Sequence, residues 1–127
     1  MGYLLDTHAF LWFINGSTDL STRAKDIIKN SENTMYLSIV NFWEIAIKLN
    51  LEKITIDMSF DELKEEADKN NFQMLPIQYE DIRILTTLES CHKDPFDRIL
   101  IAQAIQNNLT MITKDSNFAA YPVKIVW

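Results

Sequence analysis

The chain has 127 residues, 47% of them hydrophobic, and a formal net charge of −6, and this length predicts a single domain, residues 1–127, with a sizeable core. The acidic balance argues against a general nucleic-acid binder, which usually presents a basic face, although bound divalent cations would offset part of the charge. Two glycines are too few for a glycine-rich phosphate loop, and a single cysteine excludes an intramolecular disulfide.

Short apolar runs alternate with longer amphipathic segments, which is typical of βαβ units and a parallel sheet. The predicted strands are residues 3–5, 34–37, 72–77, 109–113 and 123–126. The predicted helices, with their N-caps, are residues 7–14, 21–30, 59–70, 79–88 and 94–107, together with an apolar helix that Ser38 or Asn41 caps and that reaches about residue 49. Local signals support several of these boundaries: residues 59–62 match a capping box, Pro76 marks a strand end, and Pro95 suits a first helical turn.

Two aspartates follow predicted strands directly. Asp6 ends the first strand, and Asp115 lies just beyond the fourth. Parallel strands bring their carboxyl ends to one edge of a sheet, where ligands bind in open α/β folds, so we expect the two carboxylates to lie together. Each aspartate also has a simpler interpretation, as the N-cap of the helical segment that follows it.

A third acid, Glu44, lies within the apolar helix predicted over residues 38–49. A charged carboxylate in such surroundings is costly unless it is paired or bound to a metal. The spacing of Asn41, Glu44 and Lys48 also fits a solvated helical stripe with a Glu–Lys pair. Spacing alone leaves both interpretations open.

A fourth acid, Asp97, lies one turn into the helix that Asp94 and Pro95 open. Acids in a first turn are favoured by the helix dipole, so capping alone would explain both aspartates. Taken together, however, four carboxylates at one sheet edge would raise one another's pKa values unless cations neutralised them. Oxygen ligands of this kind suit Mg²⁺ or Mn²⁺, which can activate water and stabilise charge on a phosphodiester.

Four motifs, in order along nearly the whole chain, resemble PIN-domain ribonucleases of the VapC toxin type. The segments that carry the resemblance are residues 4–12, residues 38–48, residues 92–104, and residues 113–115 with Phe118 and Tyr121. The resemblance implies a PIN-like three-layer α/β fold, with a mostly parallel sheet of about four to five strands flanked by helices. It implies metal-dependent hydrolysis of RNA by the toxin of a bacterial toxin–antitoxin pair.

Carried over residue by residue, the resemblance implies a catalytic and metal-binding site formed by Asp6, Glu44, Asp97 and Asp115. Asp97 is preferred to Asp94 because it immediately precedes the apolar helix face of residues 99–104. Small hydroxyl residues that the family often has near the acids correspond here to Thr7, Ser38 and Thr113. The implied cofactor is one or two Mg²⁺ or Mn²⁺ ions, and the implied partners are an RNA substrate, a cognate antitoxin and a second copy of the chain.

Several basic and aromatic side chains are candidates to contact the RNA or the antitoxin. The basic residues nearest to the acids in sequence are candidates to steer RNA phosphates; they are Lys48, Lys93, Arg98 and Lys114. The candidate antitoxin contacts are Trp12, Phe13 and Trp43. We expect local or structural roles for His8, Cys91 and His92, because the sequence offers them no partner.

The main alternative is a non-enzymatic α/β module, for signalling or partner binding, whose acids only cap helices. A receiver-like domain would need a pair of acids after the first strand and an aspartate after the second, and neither is present. No basic leader precedes an apolar segment and no apolar run reaches about 18 residues, so we expect a cytoplasmic protein without a membrane segment. If the four acids form a metal site, Asp6→Asn and Asp97→Asn should abolish RNA cleavage and raise thermal stability without metal.

Overall fold

The predicted alternation of strands and helices is present throughout, and the computed structural model describes every residue from 1 to 127. The strands are β1 (Gly2–Leu5), β2 (Thr34–Ser38), β3 (Gln73–Leu75), β4 (Thr110–Ile112) and β5 (Ile125–Val126). The helices are α1 (Thr7–Ile14), α2 (Thr22–Lys29), α3 (Ile39–Asn50), α4 (Phe60–Lys69), α5 (Tyr79–Leu85) and α6 (Pro95–Gln106). A 3₁₀ helix, Ser116–Ala120, separates β4 from β5.

The five strands form one parallel sheet in the order β3-β2-β1-β4-β5. This confirms the α/β fold class and the parallel sheet. The central strand β1 pairs with both β2 and β4, and its register with β4 sets Leu5 opposite Ile112. The residues that follow these strands, Asp6 and Thr113, are therefore level with each other at the carboxyl edge of the sheet.

The sheet separates two clusters of buried apolar side chains, which makes the fold three-layered. Successive strand residues point to opposite faces: Leu4 and Met111 lie in one cluster, whereas Leu5 and Ile112 lie in the other. Helices α1, α2 and α4 cover the second face, α6 covers the first, and α3 contributes to both. No helix combines the length and the apolar character needed to cross a membrane.

Four predicted elements are shorter in the structure than the sequence suggested, namely β3, β4, β5 and α5, and two of them have a clear physical reason. The helix predicted to reach residue 88 ends at Leu85, where the hydroxyls of Thr86 and Thr87 donate to the carbonyls of Arg83 and Ile84 at 2.6 and 2.7 Å. Such local bonds compete with the helical ladder. Strand β3 ends at Leu75, because Pro76 has no N–H group with which to continue the ladder.

Candidate active site

Asp6 caps a helix and faces the candidate site at the same time. Its Oδ1 accepts a hydrogen bond from the backbone N–H of Ala9 at 2.7 Å, which caps α1. Its Oδ2 accepts one from the hydroxyl of Thr113 at 2.5 Å. Burial raises the pKa of Asp6, although the bonds from Thr113 and Ala9 oppose the rise. The capping interpretation is therefore confirmed, and the same carboxylate also lines the pocket described below.

Glu44 is buried but its charge is compensated. Its Oε1 accepts from the hydroxyl of Thr7 at 2.6 Å, and its Oε2 accepts from Nζ of Lys48 at 2.6 Å. Asn41 supports this arrangement, because its Nδ2 donates to the Thr7 hydroxyl oxygen at 3.0 Å. The Glu–Lys pair that the spacing allowed is present, but Glu44 and Asn41 are buried rather than on a solvated stripe.

The pKa of Asp97 is raised as well. Burial, the negative charge of Asp94 and, more weakly, those of Glu44 and Asp6 raise the pKa of Asp97 to about 7, while His92 opposes the rise. Asp94 itself is the N-cap of α6, and its Oδ1 accepts from the backbone N–H groups of Phe96 and Asp97 at 2.9 and 3.2 Å. Asp94 is therefore the cap of α6, whereas the carboxylate of Asp97 caps no helix, and both residues line the pocket described below.

The imidazole of His92 lies between the carboxylates of Asp97 and Asp115. Nε2 of His92 lies 2.9 Å from Oδ2 of Asp97 and 3.4 Å from Oδ2 of Asp115, without hydrogen-bond geometry to either oxygen. Ligand atoms of these three residues all lie within 4.8 Å of one another. The other oxygen of Asp115 caps the 3₁₀ helix, accepting from the N–H of Asn117 at 2.9 Å. The sequence predicted only a structural role for His92. The one feature that could have indicated its place near the acids is that it begins the motif of residues 92–104, which contains Asp97.

The three hydroxyl residues near the acids make different contacts. Thr7 bonds to Glu44, whereas Thr113 donates to Asp6 and accepts from the N–H of Asp115 at 3.0 Å. The hydroxyl of Ser38 instead accepts from the N–H of Val40 at 3.0 Å and caps α3. Ser38 therefore acts on the site only by fixing the start of the helix that carries Glu44.

All four predicted acids line one pocket of about 90 Å³, which we call the acid pocket. Its other lining residues are Thr7, His8, Lys48, Asp94 and Phe118. The acids come from the ends of β1 and β4 and from α3 and α6, so the fold gathers side chains that are far apart in sequence. Carboxylates that share a small, partly buried space are a donor set that a divalent cation would stabilise. The residues present therefore fit a metal site.

Of the four basic residues near the pocket, two are engaged by other groups of the protein and two are exposed. Lys48 is engaged by Glu44. The guanidinium of Arg98 donates to the backbone carbonyl of Glu89 at 2.7 Å and to the hydroxyl of Tyr121 at 3.1 Å, so it supports the loop before α6. Lys93 and Lys114 are exposed. This removes Arg98 from the four candidates for phosphate steering.

Fold and pocket together define an α/β protein with an acidic site at the carboxyl edge of a parallel sheet. A family model described as "PIN domain" matches residues 3–124. The chain belongs to the PIN domain family, a family of nucleases, and the resemblance drawn from its motifs is confirmed. No match was found among curated protein sequences.

Solved structures of similar fold include three from bacterial complexes. VapBC2 from Rickettsia felis, bound to a DNA fragment, has a chain with a TM-score of 0.71 and 18% identity, and the match covers 99% of this chain and 98% of that one. FitAcB from Neisseria gonorrhoeae has a chain with a TM-score of 0.67 and 20% identity, and the match covers 98% of this chain and 96% of that one. VapBC-5 from Mycobacterium tuberculosis is a member of the VapBC family of toxin–antitoxin systems. Its matching chain has a TM-score of 0.66 and 20% identity, and the match covers 98% of this chain and 97% of that one. At these identities the likeness supports the fold.

Proposed function

We propose that this protein is a metal-dependent endoribonuclease and acts as the toxin of a toxin–antitoxin pair. The observation that carries the proposal is the convergence of Asp6, Glu44, Asp97 and Asp115 on the acid pocket of a PIN domain. Similarity to chains from toxin–antitoxin complexes supports the second part. A set of helix caps alone would not require Glu44 or Asp97 in this pocket, since neither side chain caps a helix.

Asp6, Asp97 and Asp115 are the side chains best placed to hold a cation, because Glu44 already pairs with Lys48. One or two Mg²⁺ or Mn²⁺ ions suit carboxylate oxygens, and when bound they polarise a phosphate oxygen and lower the pKa of an attacking water. Both oxygens of Asp6 already accept one hydrogen bond each, which fixes the carboxylate in the orientation that faces the pocket.

The remaining residues orient the acids and set their charge. Lys48 pairs with one carboxylate oxygen of the buried Glu44, and Thr7 fixes the other. His92 lies between Asp97 and Asp115 and favours the ionised form of Asp97. A phosphodiester brought to this pocket would therefore meet the carboxylates of Asp6 and Glu44 in orientations that hydrogen bonds fix before the substrate binds.

Cleavage of a labelled single-stranded RNA tests this proposal directly. The purified protein should cut the RNA with Mg²⁺ or Mn²⁺ and should stop cutting when EDTA is added. Asp6→Asn and Asp97→Asn should lower the rate at least about 100-fold, the scale expected when charge stabilisation at the reacting phosphate is lost. Asp68→Asn is a matched control, because Asp68 lies on α4 in an exposed pair with Lys64. Unchanged cleavage by Asp97→Asn would contradict the assignment.

The partners follow from the same proposal. We expect a cognate antitoxin whose segment covers the acid pocket, a homodimer of this chain, and an encounter with RNA in the cytoplasm. Of the three candidate contacts, Trp43 is 53% exposed and packs its ring edge-to-face on Phe96, at 5.2 Å between centroids. Phe13 is partly buried against Phe72. Light scattering on the purified chain tests the dimer, and a monomer at micromolar concentration would contradict it.

A further inference from the structure

A second depression adjoins the acid pocket. It has a volume of about 210 Å³ and is lined by Asp6, His8, Trp12, Lys114 and Asp115, and we call it the Trp12 depression. Asp6, His8 and Asp115 belong to both spaces. A ligand whose phosphate lies at the acids can therefore place its next group in this depression.

The indole of Trp12 packs against two other rings. Its ring lies 5.7 Å from the ring of Trp127, at an interplanar angle of 64°. The imidazole of His8 lies 5.6 Å from it, at 33°. Trp12 is only partly buried and His8 is exposed, so part of this aromatic surface is accessible to a ligand. A preorganised aromatic surface of this kind loses little conformational freedom when a planar group stacks on it.

Lys114 adds a positive charge at the same place. Its Nζ lies 5.8 Å from the centroid of the Trp12 ring, and the side chain is exposed. No salt bridge holds it, unlike Lys48, so the ammonium group is free to move from the indole to an anion. The chain carries a net charge of −6, and a phosphate near Asp6 and Asp115 needs a local cation of this kind.

We propose that the Trp12 depression binds one unpaired base of the RNA, stacked on Trp12, while Lys114 contacts the phosphate next to the one at the acid pocket. This inference rests on the proposed ribonuclease function and adds to it a subsite for one base of the RNA. An unpaired base has a free face to offer, whereas a base within a duplex is already stacked on both sides. Stacking on an aromatic ring accepts every base, so the subsite selects for strandedness more than for sequence.

The experiment is a comparison of intact and abasic substrates. A short single-stranded oligoribonucleotide that the wild-type protein cuts is prepared with one abasic position at each place around the cut. Trp12→Leu should raise KM about tenfold on the intact RNA, the scale of one base–aromatic stack, with kcat changed less than about twofold. On the RNA that lacks the stacked base, wild type and variant should have the same KM. Trp12→Phe should recover most of the affinity.

Matched controls separate this subsite from general effects. Tyr79→Leu removes a 74% exposed aromatic ring elsewhere on the surface and should leave KM unchanged. Lys114→Gln should raise KM and reduce its dependence on salt, whereas Lys53→Gln, at another exposed lysine, should do neither. If Trp12→Leu fails to fold, the abasic scan of the wild-type protein decides: a rise in KM confined to one position beside the cut supports the subsite.

Three results would overturn the inference. One is an unchanged KM for Trp12→Leu, which would assign the ring to a protein contact instead. Another is a KM for Trp12→Leu raised equally on intact and abasic RNA. The third is an abasic scan of the wild-type protein without any position that matters. In each case RNA cleavage by the wild-type protein would leave the proposed function standing, whereas absence of cleavage with Mg²⁺ or Mn²⁺ would overturn both.

Discussion

Replacing Asp97 by asparagine should stabilise the metal-free protein. The pKa of Asp97 rises from 3.8 to about 7, chiefly because the carboxylate is partly buried and lies near Asp94. Above pH 7 the folded protein must therefore hold a charge that the unfolded chain holds at less cost. Asparagine has nearly the same shape, fits the same space and removes that charge.

The magnitude follows from the size of the pKa rise. About three pKa units at about 1.4 kcal/mol each give an upper bound of about 4 kcal/mol. Because the Asp97 side chain keeps 19% of its exposure, solvent screening reduces this upper bound to about 2 kcal/mol. For a chain of this length, such a gain raises Tm by about 5–8 °C.

The pH dependence has a definite sign. A carboxyl group whose folded pKa is raised lowers stability as pH increases from the unfolded value near 3.8 to the folded value near 7, and the loss is constant above that. The gain from Asp97→Asn should therefore be full at pH 8, smaller at pH 5.5 and absent below about pH 4. Thermal unfolding in EDTA at these three pH values measures it, with Asp68→Asn as the exposed control.

Added metal should reverse the order of stabilities. Saturating Mn²⁺ at about 100 times its Kd contributes about 2.7 kcal/mol to the protein that binds it, and Asp97→Asn should lose most of that contribution. A variant that is less stable than the wild type at pH 8 in EDTA would refute the reasoning. So would a gain that is equal at all pH values, or one that Mn²⁺ leaves unchanged.

Three further predictions test the supports of the acid pocket. Lys48→Met should destabilise the protein by about 2–3 kcal/mol at pH 7 in urea unfolding, because it leaves the buried Glu44 unpaired, and a loss below about 0.5 kcal/mol would contradict that pairing. Thr113→Val should cost about 1–2 kcal/mol and raise the pKa of Asp6 further, whereas Thr113→Ser should restore both, as carboxyl NMR titration can show. Tyr121→Phe should accelerate amide hydrogen exchange in the loop before α6, since the Tyr121 hydroxyl accepts the N–H of His92 at 2.8 Å, and unchanged exchange there would count against this role.

The sequence could predict those parts of the fold and site that depend on local signals. Continuous apolar strands located Asp6 and Asp115 at one sheet edge, and the Asp94–Pro95 pair located the start of α6. These signals hold because N-caps, prolines at the first helical turn and buried strands are governed by nearby residues. The shortened end of α5 escaped prediction, because it depends on which carbonyls the hydroxyls of Thr86 and Thr87 reach.

The remaining features depend on contacts between distant segments. His92 lies between two acids only because Tyr121 and Arg98 fix the loop that carries it. Trp12 and Lys114 meet because β1 and β4 are neighbours with aligned ends, although 102 residues separate them in sequence. The spacing of Glu44 allowed either a Glu–Lys pair or a place among the acids. The folded structure shows both, because Glu44 pairs with Lys48 and also lines the acid pocket.

The most direct measurement of the central claim is an anomalous difference map from crystals grown with Mn²⁺. We expect a strong peak within about 2.0–2.3 Å of carboxylate oxygens from Asp6 and at least one of Asp97 and Asp115. Saturating Mn²⁺ with no peak in the acid pocket, or with peaks only at exposed acids elsewhere, would contradict it.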